Sequence, residues 1–370
     1  MKYLFINVVA GVGSTGKIIA EAARELEAAG HTCRIAYGRA QGDCRGIRTL
    51  AIGTPMDYKL HALRHRIFGT GGFGSAGATR AFLKEVRAFD PDVIWLHNLH
   101  GYYLHVGLLF DYLRTCGKQI RWTLHDCWAF TGNCPYFSFV GCDRWKSGCG
   151  SCPQKGLYPK AMLDATARNY QRKKALFTGI PNLTLEVPSR WLADLVKESF
   201  LKDYPLTVVP NKVDPAVFHP TPSDLRKQWG LEDKFVLLSA ANVWEPRKGL
   251  IDLVALSALL PADCKLVLVG MDRAQAKTLP RSILALPRTA NQEELAKCYT
   301  AADLYVCPSR EETFGMTVLE AACCGTTPIV YRGTACQEVA QAHGGIAVEP
   351  GAQHLLEAVI RLKQKKEEAQ

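Results

Sequence analysis

Leu304-Tyr305-Val306-Cys307-Pro308-Ser309-Arg310-Glu311-Glu312-Thr313-Phe314-Gly315-Met316-Thr317-Val318-Leu319-Glu320-Ala321 decides how the rest of the chain is read. The apolar run 304–307 is a strand that Pro308 ends. A loop carrying Glu312 follows, and a helix starts near Gly315 with Glu320 about one and a half turns in. The first amides of a helix have no intrahelical acceptor, so Phe314, Gly315, Met316 and Thr317 offer N–H groups and a positive dipole end to a diphosphate. Glu320 is placed to accept from a ribose diol, and Glu312 to reach a sugar beyond the phosphates. The plainer alternative is a surface glutamate beside an ordinary helix start.

Upstream, Ala240-Ala241-Asn242-Val243-Trp244-Glu245-Pro246-Arg247-Lys248-Gly249 sets two cations at the end of another apolar strand, 235–240. Cations oppose the dipole at a helix start, which predicts an anion nearby. Lys248 is suited to neutralise charge on a departing diphosphate. Apolar runs and amphipathic helices alternate along the whole chain, the mark of parallel α/β architecture. In the first half, strands are expected at 4–9, 33–37, 93–97, 120–125, 183–188 and 206–210, with helices at 18–29, 79–89 and 107–116. In the second half, strands are expected at 235–240, 265–269, 304–307 and 327–330, with helices at 249–260, 293–301 and 317–324. Pro210, Pro215, Pro220 and Pro222 break the periodicity between them. The expected division is an acceptor-binding domain 1–210, a linker 211–232, a nucleotide-sugar-binding domain 233–352 and a C-terminal helix 353–370. Two doubly wound domains in tandem are expected to face a cleft, with ligands at the carboxyl ends of their strands.

Gly11-Val12-Gly13-Ser14-Thr15-Gly16-Lys17-Ile18 follows the first strand and nearly matches a P-loop. The hydroxyl that would ligate magnesium is replaced by Ile18. Glycines there still let a phosphate, carboxylate or sugar hydroxyl approach the backbone. Gly13 is read as a donor contact and Gly16 as lying on the acceptor side.

These residues carry a resemblance. The second half resembles the nucleotide-binding domain of glycosyltransferase family 4, through Glu312 and Glu320 in the family's E-x7-E pattern, Phe314-Gly315, and Arg247-Lys248-Gly249. Further likeness lies in 321–328, the glycine loop, Leu124-His125-Asp126, Pro188-Ser189-Arg190-Trp191 and Val209-Pro210-Asn211. The resemblance implies a retaining transferase of GT-B architecture, two tandem Rossmann-like domains, that needs no divalent metal for catalysis. It implies catalytic roles for Glu312, Lys248 and His125. Arg247, Phe314, Gly315, Met316, Thr317, Glu320 and Gly13 would hold the donor, with Asp126 and Gly16 on the acceptor side. Two departures stand out: Val243 occupies the position where many members carry arginine, and Lys212 follows Asn211 in place of glycine.

Cys134, Cys142, Cys149 and Cys152 lie in an insertion of about 127–155, directly after His125-Asp126. Four thiolates can complete a structural zinc shell, and in a reducing compartment such spacing favours metal over disulfides. Free thiols and a labile disulfide are the other readings. The segment resembles a cysteine-rich insertion of exopolysaccharide-type members, which implies surface polysaccharide assembly. Its Trp128, Phe130, Tyr136, Phe137 and Phe139 either stack on sugars or form the loop's own core. The other ten cysteines read as small core hydrophobes.

At 370 residues and 48% hydrophobic content the chain can bury two cores. No apolar run reaches membrane-span length, and residues 1–9 read as a buried strand, so a cytoplasmic protein is expected. The net charge of +10 fits a phosphorylated ligand or peripheral contact with an anionic inner membrane; without a recognised nucleic-acid module, nucleic acid is not expected. Expected partners are a nucleotide-sugar donor, UDP- or GDP-linked, and a saccharide or lipid-linked saccharide acceptor. The rival readings are a P-loop-like nucleotide phosphatase or kinase using 11–18, a nucleotide-sugar epimerase or hydrolase, and a non-catalytic sugar- or lipid-phosphate-binding module.

Overall fold

A computed structural model describes residues 1–368, which divide into two compact units, Met1–Pro210 and Asn211–Gln370. In the first unit the chain runs β1 (Lys2–Ala10), α1 (Gly13–Ala28), β2 (Thr32–Gln41), β3 (Arg48–Ala51), α2 (Pro55–Phe68), α3 (Ala76–Phe89) and β4 (Val93–Leu96). It continues α4 (Val106–Thr115), β5 (Gln119–Thr123), α5 (Thr166–Phe177), β6 (Leu183–Val187), α6 (Arg190–Lys197) and β7 (Leu206–Val208). These strands form one parallel sheet in the order β3-β2-β1-β4-β5-β6-β7.

The second unit runs α7 (Leu225–Trp229), β8 (Phe235–Ala240), α8 (Leu250–Leu259), β9 (Cys264–Val269), α9 (Arg273–Thr278) and β10 (Ile283–Leu286). Then follow α10 (Gln292–Thr300), β11 (Leu304–Cys307), α11 (Met316–Cys323), β12 (Thr327–Tyr331), α12 (Cys336–Ala342), β13 (Ile346–Val348) and α13 (Ala352–Glu367). Its sheet order is β10-β9-β8-β11-β12-β13, again parallel. Both orders are those of doubly wound sheets, with the reversal between β1 and β4 in one and between β8 and β11 in the other.

Central strands are apolar on both faces because helices cover both. Leu304, Tyr305 and Val306 are fully buried, as are Leu4, Phe5 and Ile6 in β1. Three boundaries differ from expectation. α1 begins at Gly13 and not at Ile18, because the loop tightens immediately after β1. The 211–232 stretch is not a free linker: Phe218 and Leu231 are buried in the core of the second unit, and Arg226 pairs with Asp303. The C-terminal helix is part of that unit too, since Leu355, Ala358 and Val359 pack into its core. Residues 369–370 of that expected helix lie outside the described residues.

Candidate active site

β8 and β11 end side by side where the second sheet reverses. The loop after β8 turns through a short 3-10 segment, Pro246–Lys248, into Gly249. Gly249 has φ +73°, and a Cβ there would stand 2.2 Å from the Pro308 carbonyl oxygen. Only glycine permits that approach. The Arg310 amide donates to the Arg247 carbonyl at 2.8 Å, stitching the two loops together.

Arg247 and Lys248 are thereby held against Glu312. Lys248 Nζ pairs with Glu312 Oε1, and Arg247 Nη1 lies 3.5 Å from the same oxygen. Arg247 also pairs with Glu245 at 3.0 Å and donates to the Glu311 carbonyl at 3.1 Å. Burial pushes the Glu312 carboxyl up, but the Lys248 and Arg247 charges outweigh it and hold it below the ordinary range. The anion expected near these cations comes from the chain itself, from Glu312 and Glu245.

Gly315 precedes α11 with φ +98°, and a Cβ there would meet Cys336 Sγ at 2.6 Å. The amides of Val318 and Leu319 donate to its carbonyl at 3.0 and 3.2 Å, so Met316 and Thr317 form the first turn. Phe314 is buried beneath this turn. Glu320, one turn further, is buried and accepts from the Tyr299 hydroxyl at 2.9 Å. Arg247, Lys248, Glu312, Phe314, Gly315, Met316, Thr317 and Glu320 thus gather on loops and a helix start at one end of one sheet.

In the first unit, His125 and Asp126 follow β5, and the structure joins to them two histidines that the sequence reading missed. His97 Nδ1 lies 3.0 Å from His125 Nε2, and His100 Nε2 lies 2.7 Å from Asp126 Oδ2. The Trp128 amide donates to Asp126 Oδ1 at 2.8 Å. Burial lowers the pKa of His125 to about 4 and holds His97 well below its ordinary range, so both rings are neutral. Burial raises the Asp126 carboxyl, but His100 and the Trp128 amide outweigh it and keep it low. Asn7, fully buried within β1 just before its bulge, accepts from the Asn98 amide at 3.1 Å and donates to Thr15 Oγ1 at 3.3 Å. It ties the glycine loop to the loop bearing His97. The signal was available: His97-Asn98-Leu99-His100 ends the strand that neighbours β5.

The glycine loop itself is set mostly by packing. A Cβ on Gly11 would stand 2.3 Å from the Asp43 carbonyl oxygen, and one on Gly16 would stand 3.1 Å from Val9 Cγ2. Gly13, by contrast, is exposed with open space beside it. Ile18 is half-buried in α1.

The insertion after β5 is built on aromatic packing. Trp128, Phe130 and Phe137 are buried, and the Phe137 and Trp145 rings stack at 4.8 Å. Of the two readings of this loop, those three side chains follow the one in which they form its core. Lys173, fully buried on α5, donates to the Trp128 carbonyl at 2.5 Å and lies 3.5 Å from the Trp128 ring centroid. Desolvation lowers its pKa to about 7, against the charge of the Asp126 carboxylate. Cys134, Cys142, Cys149 and Cys152 share this neighbourhood as free thiols. Burial pushes Cys134 up to about 12 and Cys149 up to about 11. Among the described residues no three His, Cys, Asp or Glu side chains are arranged to hold a metal ion. The four thiols are electrostatically linked: Cys134 feels Cys149 and Cys152, and Cys149 and Cys152 both feel Cys142.

Residues 223–370 match the family described as glycosyl transferases group 1. The second unit carries a domain of that group, and the class it defines is a glycosyltransferase enzyme. Over 139 residues the chain is 32% identical to WcaC of Escherichia coli K12, provisionally assigned as a colanic acid biosynthesis glycosyl transferase. That alignment covers 35% of this chain and 33% of WcaC. Alignments with the curated relatives span about a third to a half of their length. Two solved structures share the fold over nearly the whole chain. Sucrose-phosphate synthase from Thermosynechococcus elongatus superposes with TM-score 0.72 at 19% identity, covering 98% of this chain and 90% of its own. Anabaena HepE in complex with UDP and glucose gives 0.68 at 17%, covering 99% and 91%.

Proposed function

We propose that the chain is a retaining transferase of glycosyltransferase family 4 that moves a hexosyl group from a UDP- or GDP-sugar to a glycan or lipid-linked saccharide in surface polysaccharide assembly, working in the cytoplasm. One observation carries the reading: Lys248, Arg247 and Glu312 converge beside the first turn of α11 where the second sheet reverses. The partial likeness to WcaC supports the polysaccharide setting, and the complex of HepE with UDP and glucose supports a sugar nucleotide.

In the proposed reaction the bond from the sugar's anomeric carbon to the diphosphate oxygen breaks. A bond to the acceptor oxygen forms on the same face, and the acceptor's proton passes to the departing diphosphate. Charge builds on the leaving group, where Lys248, Arg247 and the amides of Met316 and Thr317 would stabilise it. These fixed cations meet the electrostatic demand without a divalent metal. Diphosphate binding would draw Lys248 from Glu312 and release the carboxylate toward the sugar hydroxyls. Glu320 would hold the ribose while Tyr299 fixes its carboxylate.

His125 would act on the acceptor side with Asp126 and Gly16, and Gly13 of the same loop would meet the donor. His97 Nε2 is buried without a hydrogen-bond partner among the described residues. Orphaned N–H groups are rarer than orphaned acceptors, so we assign the proton to His97 Nδ1, donating to His125 Nε2. His125 then carries its own proton on Nδ1 and serves as a hydrogen-bond donor to a sugar oxygen, which suits a front-face route that takes no proton from the acceptor onto the enzyme.

Thermal stability with UDP, GDP, ADP and ATP, each with magnesium and with EDTA, tests the reading. A ligand that binds the folded state raises the midpoint. Stabilisation by UDP or GDP that survives EDTA is expected. A response confined to ATP with magnesium would instead favour the 11–18 loop as a nucleotide site. Release of free sugar or a new isomer without any acceptor would favour a hydrolase or epimerase.

A further inference from the structure

Cys307 and Cys336 stand at the base of the donor loops, and no step of the proposed reaction uses them. Cys307 ends β11 immediately before Pro308, and Cys336 opens α12. Both are buried in one core cluster, and folding brings the two thiols into a hydrogen bond with each other. Two small hydrophobes would fill that space without any such bond.

Both sulfurs touch the surroundings of Glu312. Cys336 Sγ backs onto the turn that starts α11, where a Cβ on Gly315 would stand 2.6 Å from it. The Ala335 amide, one residue before Cys336, donates to the Glu312 carbonyl at 3.2 Å. Cys307 Sγ lies 3.4 Å from Ser309 Oγ, and the Ser309 hydroxyl also serves the Glu312 carboxylate. A displacement of either sulfur is therefore passed to Gly315 or to Glu312.

The pair is asymmetric. The Cys336 thiol donates to Cys307 and lowers its pKa to about 7, against burial, with Ser309 and Lys248 acting in the same direction as Cys336. The same bond and burial push Cys336 up. Burial without a thiol partner pushes Cys298 up to about 11. One member of the pair is thus the nucleophile and the other its resolving thiol, the division of roles found in redox-sensing cysteines.

We propose that Cys307 and Cys336 are a modification site: they close into a reversible disulfide that disables the donor site under oxidation. The oxidant is a hydroperoxide, which reaches Cys307 when the loop after β11 opens locally. The Cys307 thiolate attacks one peroxide oxygen. An S–O bond forms as the O–O bond breaks, and the hydroxide released takes up the proton that Cys307 lost. The Cys336 sulfur then attacks the resulting sulfenic acid. The S–S bond forms, the S–O bond breaks, and the Cys336 proton leaves with the hydroxyl as a second water. Two thiols lose two electrons and one peroxide is reduced to two waters; a thiol reductant reverses the change. Bonded sulfurs stand about 2 Å apart, well inside hydrogen-bonding distance, so closure draws the end of β11 and the start of α12 together. The Gly315 turn rests on Cys336 Sγ and shifts with it, carrying the Met316 and Thr317 amides. In a reducing compartment such a bond is a transient sensor and not a staple. The effect on donor binding rests on the proposed donor site, whereas formation of the bond does not.

The full chain, reduced and freed of reductant, is exposed to hydrogen peroxide, unfolded, alkylated and mapped by peptide mass spectrometry. A peptide joining Cys307 to Cys336 is expected, and dithiothreitol should release it. In the oxidised chain the apparent affinity for UDP or GDP, read from the thermal shift, should weaken at least about tenfold and return on reduction. Cys336→Ala, or Cys307→Ala should the first not fold, should keep its nucleotide response after the same exposure, which separates this pair from the cysteines of the insertion. Recovery of Cys307 and Cys336 as alkylated thiols would overturn the proposal. So would a cross-linked chain that binds nucleotide like the reduced one, or a variant that loses its response as the parent does. A reduced chain that forms the bond but answers no nucleotide would uphold the cross-link and count against the donor site instead.

Discussion

His97 Nδ1 lies 3.0 Å from His125 Nε2, with the two ring planes within 16° of each other. His97 is itself packed against Phe5 and Trp95, and its carbonyl accepts from Trp122 Nε1 at 3.2 Å. Its position is therefore set by the sheet, and it passes that rigidity to His125. His97→Phe keeps the ring and removes the hydrogen bond. Turnover should fall roughly 10- to 100-fold with little change in donor KM, and the acid limb of the pH–rate profile should move toward neutrality as His125 becomes easier to protonate. A variant with the parent's profile would mean that His97 only fills space.

Lys248 and Glu312 are each other's partner before any ligand arrives. Lys248→Ala should lower kcat about 100- to 1,000-fold by removing charge opposite the leaving group. Glu312→Gln should lower activity comparably and leave the folded structure intact. Near-normal steady-state rates in both variants would end the proposed assignment of the site.

Gly249 and Gly230 separate backbone strain from crowding. Both have positive φ, but a Cβ on Gly230 meets nothing within 4 Å whereas one on Gly249 collides with the Pro308 carbonyl. Gly230→Ala should cost about 1 kcal/mol. Gly249→Ala should cost more than about 2 kcal/mol and abolish the nucleotide-induced thermal shift, because the loop that carries Lys248 must move. Urea titrations of both variants decide this.

Acid should weaken the fold before any carboxylate titrates. Burial lowers His61 and His125 to about 4 and holds His97 well down too, against an ordinary value of 6.5. Below pH 6.5 the unfolded chain takes up protons that the folded chain refuses until about pH 4. Stability from these groups is therefore whole above 6.5 and is lost as pH falls through that window, by about 1.4 kcal/mol per pH unit for each fully neutral histidine. Urea unfolding at several pH values between these limits measures it. A flat dependence would show the histidines charged in the folded state.

Lys173 closes the floor of the cysteine-rich insertion. Lys173→Met leaves the Trp128 carbonyl without its donor and should cost about 1–3 kcal/mol. If the four cysteines hold the zinc expected of them, chelation under reducing conditions should lower the thermal midpoint. A midpoint that chelation leaves unchanged would make them free thiols.

The alternation of apolar runs and helices was sufficient to read the doubly wound class, because parallel strands covered on both faces must be continuously apolar. The loop positions of Lys248, Glu312 and Gly315 were legible for the same reason: they follow strand ends and precede a helix start. α2 was not legible, since its period places histidines inward and leucines outward, against the pattern that hydrophobicity reads. Nor were His97, His100 and Asn7 tied to the site until the sheet order set β4 between β1 and β5.

What the sequence determined by itself was local: which stretches are strands, where glycine must stand, and which charged residues sit at strand ends. Only the tertiary structure decided that Glu312 neutralises Lys248 and Arg247, that His97 holds His125, and that the four thiols of the insertion lie within one another's electrostatic reach. Those facts depend on distances between residues far apart in the chain and on how much water their packing removes, and neither quantity is written in the order of the residues.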